Sequence, residues 1–99
     1  MIERIGFEAY VIDSLLPDLV GHDHKSAAFL VYLYLWRQTS GRRAQEARVS
    51  HQGIAVDTGL SKSTVQAAIR HLRRRGLIDG RQDHPTATPR YRVLKPWRR

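Results

Sequence analysis

The stretch Val49-Ser50-His51-Gln52-Gly53-Ile54-Ala55-Val56-Asp57-Thr58-Gly59-Leu60-Ser61-Lys62-Ser63-Thr64-Val65-Gln66-Ala67-Ala68-Ile69-Arg70-His71-Leu72 decides how this 99-residue chain folds. Ser50 and Ser61 each precede a helical run, where a hydroxyl accepts from the orphan amides of the first turn. Gly59 stands where the first run must end, because it takes the left-handed conformation without a Cβ penalty. Ala55 is small where two helices cross closely, and Leu60 plugs the turn between them into the core. Val65, Ala68, Ile69 and Leu72 recur at i, i+3, i+4 and i+7, the spacing of one buried helix face. The pattern predicts a short helix from Ser50 or His51 to about Thr58, a tight turn, and a longer helix over 62–75 ended by Gly76. That is the layout of a helix-turn-helix. It leaves Lys62, Ser63, Gln66, Ala67, Arg70, His71, Arg73 and Arg74 facing outward.

Upstream, residues 25–38 read as a helix with Asp23 as its N-cap. Its run Phe29-Leu30-Val31-Tyr32-Leu33-Tyr34-Leu35-Trp36 is apolar nearly all round, so either the preceding residues or another chain must cover its outer face. Residues 1–24 form an N-terminal extension, partly ordered and a candidate dimerisation segment. A short extended piece is expected near 8–12, then a turn or two of helix through Ile12, Leu15, Leu16 and Leu19, with Pro17 working against helix at Leu16. Downstream, strands are expected over 77–82 and 90–95, joined by the proline-bounded loop 83–89, with a further short strand at 47–49. Tyr91 and Val93 alternate with Arg90 and Arg92, so the arginines share one side of the second strand. Residues 96–99 are a basic tail in which Trp97 is either free or packed back.

The charge is lopsided. Lys plus Arg is 17 against 9 Asp plus Glu, a net of +8. Residues 1–50 hold six bases and six acids, so the whole excess lies in residues 51–99, with eleven bases and only Asp57, Asp79 and Asp83. Such asymmetry points to a polyanion, nucleic acid first, against the plainer reading of a basic surface kept for solubility. Other classes find little support. The chain has no cysteine, hence no disulfide, thiolate nucleophile or cysteine-ligated zinc. The apolar run Ala27 to Trp36 is far short of the roughly 18 residues of a bilayer span, and the Met1-Ile2-Glu3-Arg4 start lacks a signal peptide's apolar stretch. His22-Asp23-His24 reads as a solvated loop rather than a metal site, since no third ligand is placed beside it. No Ser/His/Asp grouping and no Gly-rich phosphate loop appears, so no catalytic residue, metal or cofactor is expected.

The run from Ile54 to Ile78, with Ile-Ala, Thr-Gly-Leu-Ser, Ser-Thr-Val, Ala-Ile and Arg-Arg-Gly-Leu-Ile, resembles the winged helix-turn-helix domain of bacterial transcription regulators and replication initiators. With the preceding helix and the following hairpin, the resemblance covers residues 25–95. It implies an α+β, mainly helical fold: a three-helix core plus a C-terminal β-hairpin wing, here behind an N-terminal extension. It implies that the third helix enters the major groove and the hairpin contacts backbone or minor groove. Carried over by position, Lys62, Ser63, Gln66, Ala67 and Arg70 fall on outward recognition-helix positions, Ser61 and Thr64 on frequent phosphate contacts, and Arg81, Arg90 and Arg92 on the wing. Gly53 departs from the pattern, where a better helix former is usual, so the second helix should be short.

Together these readings predict a cytoplasmic, nucleoid-associated protein that binds double-stranded DNA in a sequence-specific way and performs no chemistry. Gln66 and Arg70 suit adenine and guanine edges, while Ser61, Thr64, Arg73, Arg74 and the wing arginines suit phosphates. Transcriptional repression or autoregulation is the first reading and a plasmid or phage replication-initiation module the second. A protein–protein adaptor built on the apolar helix 25–38 is the reading from another class. A homodimer through helix 25–38 and the N-terminal extension is expected.

Overall fold

Capping residues set the limits of the helices. The computed structural model describes residues 2–98 and contains α1 (Ser26–Gln38), α2 (His51–Thr58) and α3 (Lys62–Arg74). The Ser50 hydroxyl accepts from the Gly53 N–H at 3.0 Å, opening α2, and the Ser61 hydroxyl accepts from the Thr64 N–H at 3.1 Å, opening α3. Gly59, at φ +79°, ends α2 after only eight residues. Gly53 has a reason to lack a side chain, for a Cβ there would stand 3.0 Å from a Val49 methyl and 3.3 Å from the capping hydroxyl. Gly76, at φ +68°, closes α3. The Leu77 and Gly76 amides turn back to the carbonyls of Leu72 and Arg73, satisfying two acceptors of the last turn. The stripe Val65, Ala68, Ile69 and Leu72 is buried as its spacing predicts, against α1 and α2.

The N-terminal lead-in, residues 2–24, departs from expectation. Residues 9–22 are helical, with no extended piece at 8–12, and most of the run is in the wider π register, as Val11–Leu15 and Pro17–His22. Leu16 sits in the right-handed helical region despite Pro17. In an α-helix a proline ring collides with the carbonyl four residues back, and the wider turn relieves that clash. The Leu16 amide reaches the Val11 carbonyl and the Asp23 amide reaches the Asp18 carbonyl, both five residues back. The buried stripe is Val11, Leu15 and Leu19, in steps of four, and Ile12 is half exposed. Asp23 does not cap α1. Lys25 occupies the N-cap without a side-chain bond, and Asp23 is committed elsewhere.

The lead-in lies against α1, so the chain itself covers much of that helix. Each polar group on the apolar run finds a partner in a different part of the chain. The Trp36 indole donates to the Gly6 carbonyl at 2.9 Å, the Tyr32 hydroxyl to the Leu94 carbonyl at 3.0 Å, and the Tyr34 hydroxyl to Asp57 at 2.6 Å. Leu30 stays about half exposed.

Three short strands, β1 (Ala47–Arg48), β2 (Ile78–Arg81) and β3 (Arg90–Val93), form an antiparallel sheet in the order β1-β3-β2. Tyr91 pairs with Ala47 on one side and Gly80 on the other. The tail is not free at Trp97, which stacks on Tyr10 with ring centroids 4.5 Å apart and donates to Glu8 at 3.0 Å. Arg98 is ion-paired with Glu8 as well, while Arg99 lies outside the described residues.

Candidate nucleic-acid interface

The amphipathic period of α3 places its charges before any ligand is considered. Lys62, Ser63, Ala67, Arg70, Arg73 and Arg74 are exposed along one side, with Gln66 half buried among them. Among the described residues, Lys62, Arg70, Arg73 and Arg74 have no acidic group within ion-pair distance. Arg73 instead donates to the Gly80 carbonyl at 3.3 Å, tying α3 to the hairpin. The hairpin's arginines are differently placed. Arg81 lies 3.5 Å from Glu46, and Arg90 is 2.6 Å from Asp83. Arg92 is exposed but stands opposite Asp79 in the β2–β3 register. Positive charge is therefore unopposed on α3 and largely answered on the wing.

Between them runs an open groove of about 660 Å³, walled by Lys62, Gln66, Arg70 and Arg73 on one side and Arg81, Gln82, Thr86 and Thr88 on the other. His51 and Tyr91 line it too. Arg90 and Arg92 do not. They project from the opposite face of the sheet to Tyr91, beside Glu46 and Asp79. At the helix start, Ser61 gives its hydroxyl proton to Thr64 at 2.8 Å while accepting the Thr64 amide. In that arrangement the Thr64 proton is left for a phosphate oxygen.

The His51–Tyr91 pair is not legible in the sequence as a contact, although each residue stands in an element that the sequence predicts. His51 Nε2 and the Tyr91 hydroxyl share a hydrogen bond of 2.9 Å, joining the first residue of α2 to the middle strand. Burial, then the charges of Lys62 and Arg70, hold the imidazole below its ordinary range, and burial pushes the Tyr91 phenol up. The Tyr91 ring lies over Gly80, where a Cβ would come within 2.8 Å of two ring carbons. Only glycine leaves that ring its place.

His71, expected on the outer face, belongs elsewhere. Its Nε2 is 2.7 Å from an Asp23 carboxylate oxygen, and its side chain is only 13 % exposed. Asp23 also meets His22 at 2.8 Å and Arg75 at 3.4 Å, and Arg75 pairs with Asp18 too. The hydrogen bonds from His22 and then His71, with the Arg75 charge behind them, hold the Asp23 carboxyl below its usual value. The last turn of α3 is thus bolted to the lead-in, a long-range contact that helical periodicity alone does not reveal. Asp18, His22 and Asp23 do bring three potential ligand atoms within 4.8 Å of one another, supplying the third group that the His22-Asp23-His24 motif lacks in sequence. The Arg75 guanidinium already answers both of those carboxylates.

A capped helix with unopposed cations, a supporting helix across it and a hairpin flanking the groove define a DNA-binding helix-turn-helix module. The chain belongs to the Crp-like helix-turn-helix domain family, which it matches over residues 24–95. Searches of curated proteins and of solved structures return no significant match. No helix among the described residues is long and apolar enough to cross a membrane.

Proposed function

We propose that this protein is a transcriptional regulator that binds double-stranded DNA in a sequence-specific way, without chemistry of its own, in the cytoplasm. In this reading α3 lies in the major groove and the hairpin over β2 and β3 flanks it as a wing. One observation carries the reading: the outward cations of α3 have no acidic partner, whereas Arg75, Arg81 and Arg90 are each paired within the chain. Unpaired cations on one helix face need break no internal pair when phosphates arrive, and they release counterions instead. Gln66 and Arg70, one turn apart, read base edges, with Lys62, Ser63 and Ala67 beside them on the outward face; Ser61, Thr64, Arg73, Arg74 and the wing arginines hold phosphates and set the register. Selection of duplexes from a random pool tests this. A recovered consensus supports a specific regulator, and unselective recovery at all salt concentrations counts against it.

The reading includes a two-fold dimer. The lead-in occupies much of the surface that suggested one, and the exposed apolar residues left for a second copy include Ile12, Val20 and Leu30. Two reading helices about one DNA turn apart then call for an inverted repeat. Sedimentation showing only monomer at tens of micromolar, on and off DNA, excludes the dimer.

A further inference from the structure

His51 occupies a place that the reading above leaves without a task. It is the first residue of α2, it is half buried, and it lines the groove. Its two ring nitrogens are treated differently. Nε2 is taken by the Tyr91 hydroxyl at 2.9 Å, with the rings inclined by only 24°. Nδ1 has no hydrogen-bond partner among the described residues and is not sealed from solvent; the one buried side-chain nitrogen without a partner belongs to His71. Tyr91 is itself fixed, with its ring over Gly80 and its flanks paired to β1 and β2. The imidazole is therefore held at one end and open at the other, inside a groove whose walls are cationic.

We propose that His51 is a DNA-contacting residue, held by Tyr91 so that Nδ1 meets a backbone phosphate, and that it takes up one proton from solvent as the DNA enters. The proposal rests on the DNA-binding reading and adds to it a contact and a pH dependence.

The charged and titratable groups that share the groove with the imidazole are Lys62, Arg70 and Arg73 from α3, Arg81 from β2 and Tyr91 from β3. All the ionised ones are positive. They and the burial of the ring disfavour a charged imidazole in the free protein. A phosphate backbone reverses that environment, because it answers Lys62 and Arg70 and sets negative charge beside Nδ1. The neutral ring accepts the Tyr91 proton at Nε2 and donates from Nδ1. Once protonated it donates from both nitrogens, to the Tyr91 oxygen and to the phosphate, so the geometry survives the proton uptake.

Binding that takes up a proton tightens as pH falls, by at most about tenfold per pH unit for one group. The test is fluorescence anisotropy with a labelled random-sequence duplex, from pH 8 to pH 6 at constant ionic strength. Wild type should tighten by about three- to tenfold across that range. His51→Gln, which keeps a polar group near Tyr91 but cannot titrate, should give a flat profile. His84→Gln, in the hairpin loop, should keep the wild-type slope. Tyr91→Phe should bind more weakly and show a reduced slope, with melting temperatures measured for every variant. A His51→Gln protein that binds DNA with the full wild-type slope overturns the proposal and leaves the DNA-binding reading intact. A flat wild-type profile does the same. Failure of wild type to bind any duplex at low salt overturns both.

Discussion

Arg70→Ala is the substitution that separates reading from holding. Arg70 is exposed and has no acidic neighbour within ion-pair distance, so its removal frees no internal partner and exposes no core. If the guanidinium makes a bidentate contact to a guanine, its loss costs about 1–3 kcal/mol on the preferred duplex, about 5- to 150-fold in Kd. On random duplex only the electrostatic share disappears, so the two affinities converge and preference flattens at one or two base pairs. Arg92 offers the contrast. It leaves the sheet on the face away from the groove and stands opposite Asp79 in the strand register. Arg92→Ala should weaken all duplexes by a similar small factor and lower the salt slope by less than the roughly one unit of a full phosphate contact. Anisotropy titrations of both variants on selected and random duplexes supply the four numbers needed. Suppose Arg70→Ala weakens every duplex equally while Arg92→Ala erases preference. The wing is then the reader, and the placement of α3 in the major groove is wrong.

Further outcomes follow from the packing. Leu19→Ala empties a site with no exposure in the lead-in, which should cost about 2–5 kcal/mol and lower Tm by at least about 8 °C; a shift of a degree or two would mean the lead-in is not part of the core. Gly80→Ala drives a methyl into the Tyr91 ring and should cost about 1–3 kcal/mol by thermal melting, while Tyr91→Phe leaves that packing intact and costs less. Asp23 has its folded pKa depressed, so its contribution is complete above the unfolded value of 3.8 and is lost as pH falls through the folded one. Urea midpoints measured below about pH 4 should fall less steeply for Asp23→Asn than for wild type; parallel curves would remove Asp23 from the acid response.

What is legible in the sequence is local. The hydroxyls of Ser50 and Ser61, the left-handed Gly59 and Gly76, and the i, i+3, i+4, i+7 stripe of α3 act over one or two helical turns, and each stands where its neighbours require it. The lead-in escapes such a reading because Pro17 argues locally against helix at Leu16, and the π register in which the fold accommodates it leaves no mark on the apolar spacing. His71 escapes it because an outward helical position says nothing about a carboxylate 48 residues away in the chain. The pairing of Arg81 with Glu46 and of Arg90 with Asp83 is hidden for related reasons. Net charge counts these arginines equally with those of α3, although only contacts in the fold show which are free.

Whether the unopposed cations of α3 carry the DNA is tested most directly by the slope of log K against log salt for three proteins on one selected duplex. They are wild type, a helix variant combining Lys62→Gln, Arg70→Gln, Arg73→Gln and Arg74→Gln, and a wing variant combining Arg81→Gln, Arg90→Gln and Arg92→Gln. Removing one phosphate contact lowers the magnitude of the slope by about 0.9. The helix variant should lose about two to three such units, since Arg70 is assigned chiefly to a base, and the wing variant about one or less. A helix variant that keeps the wild-type slope, beside a wing variant whose slope collapses, contradicts the assignment of α3 as the helix that carries the DNA.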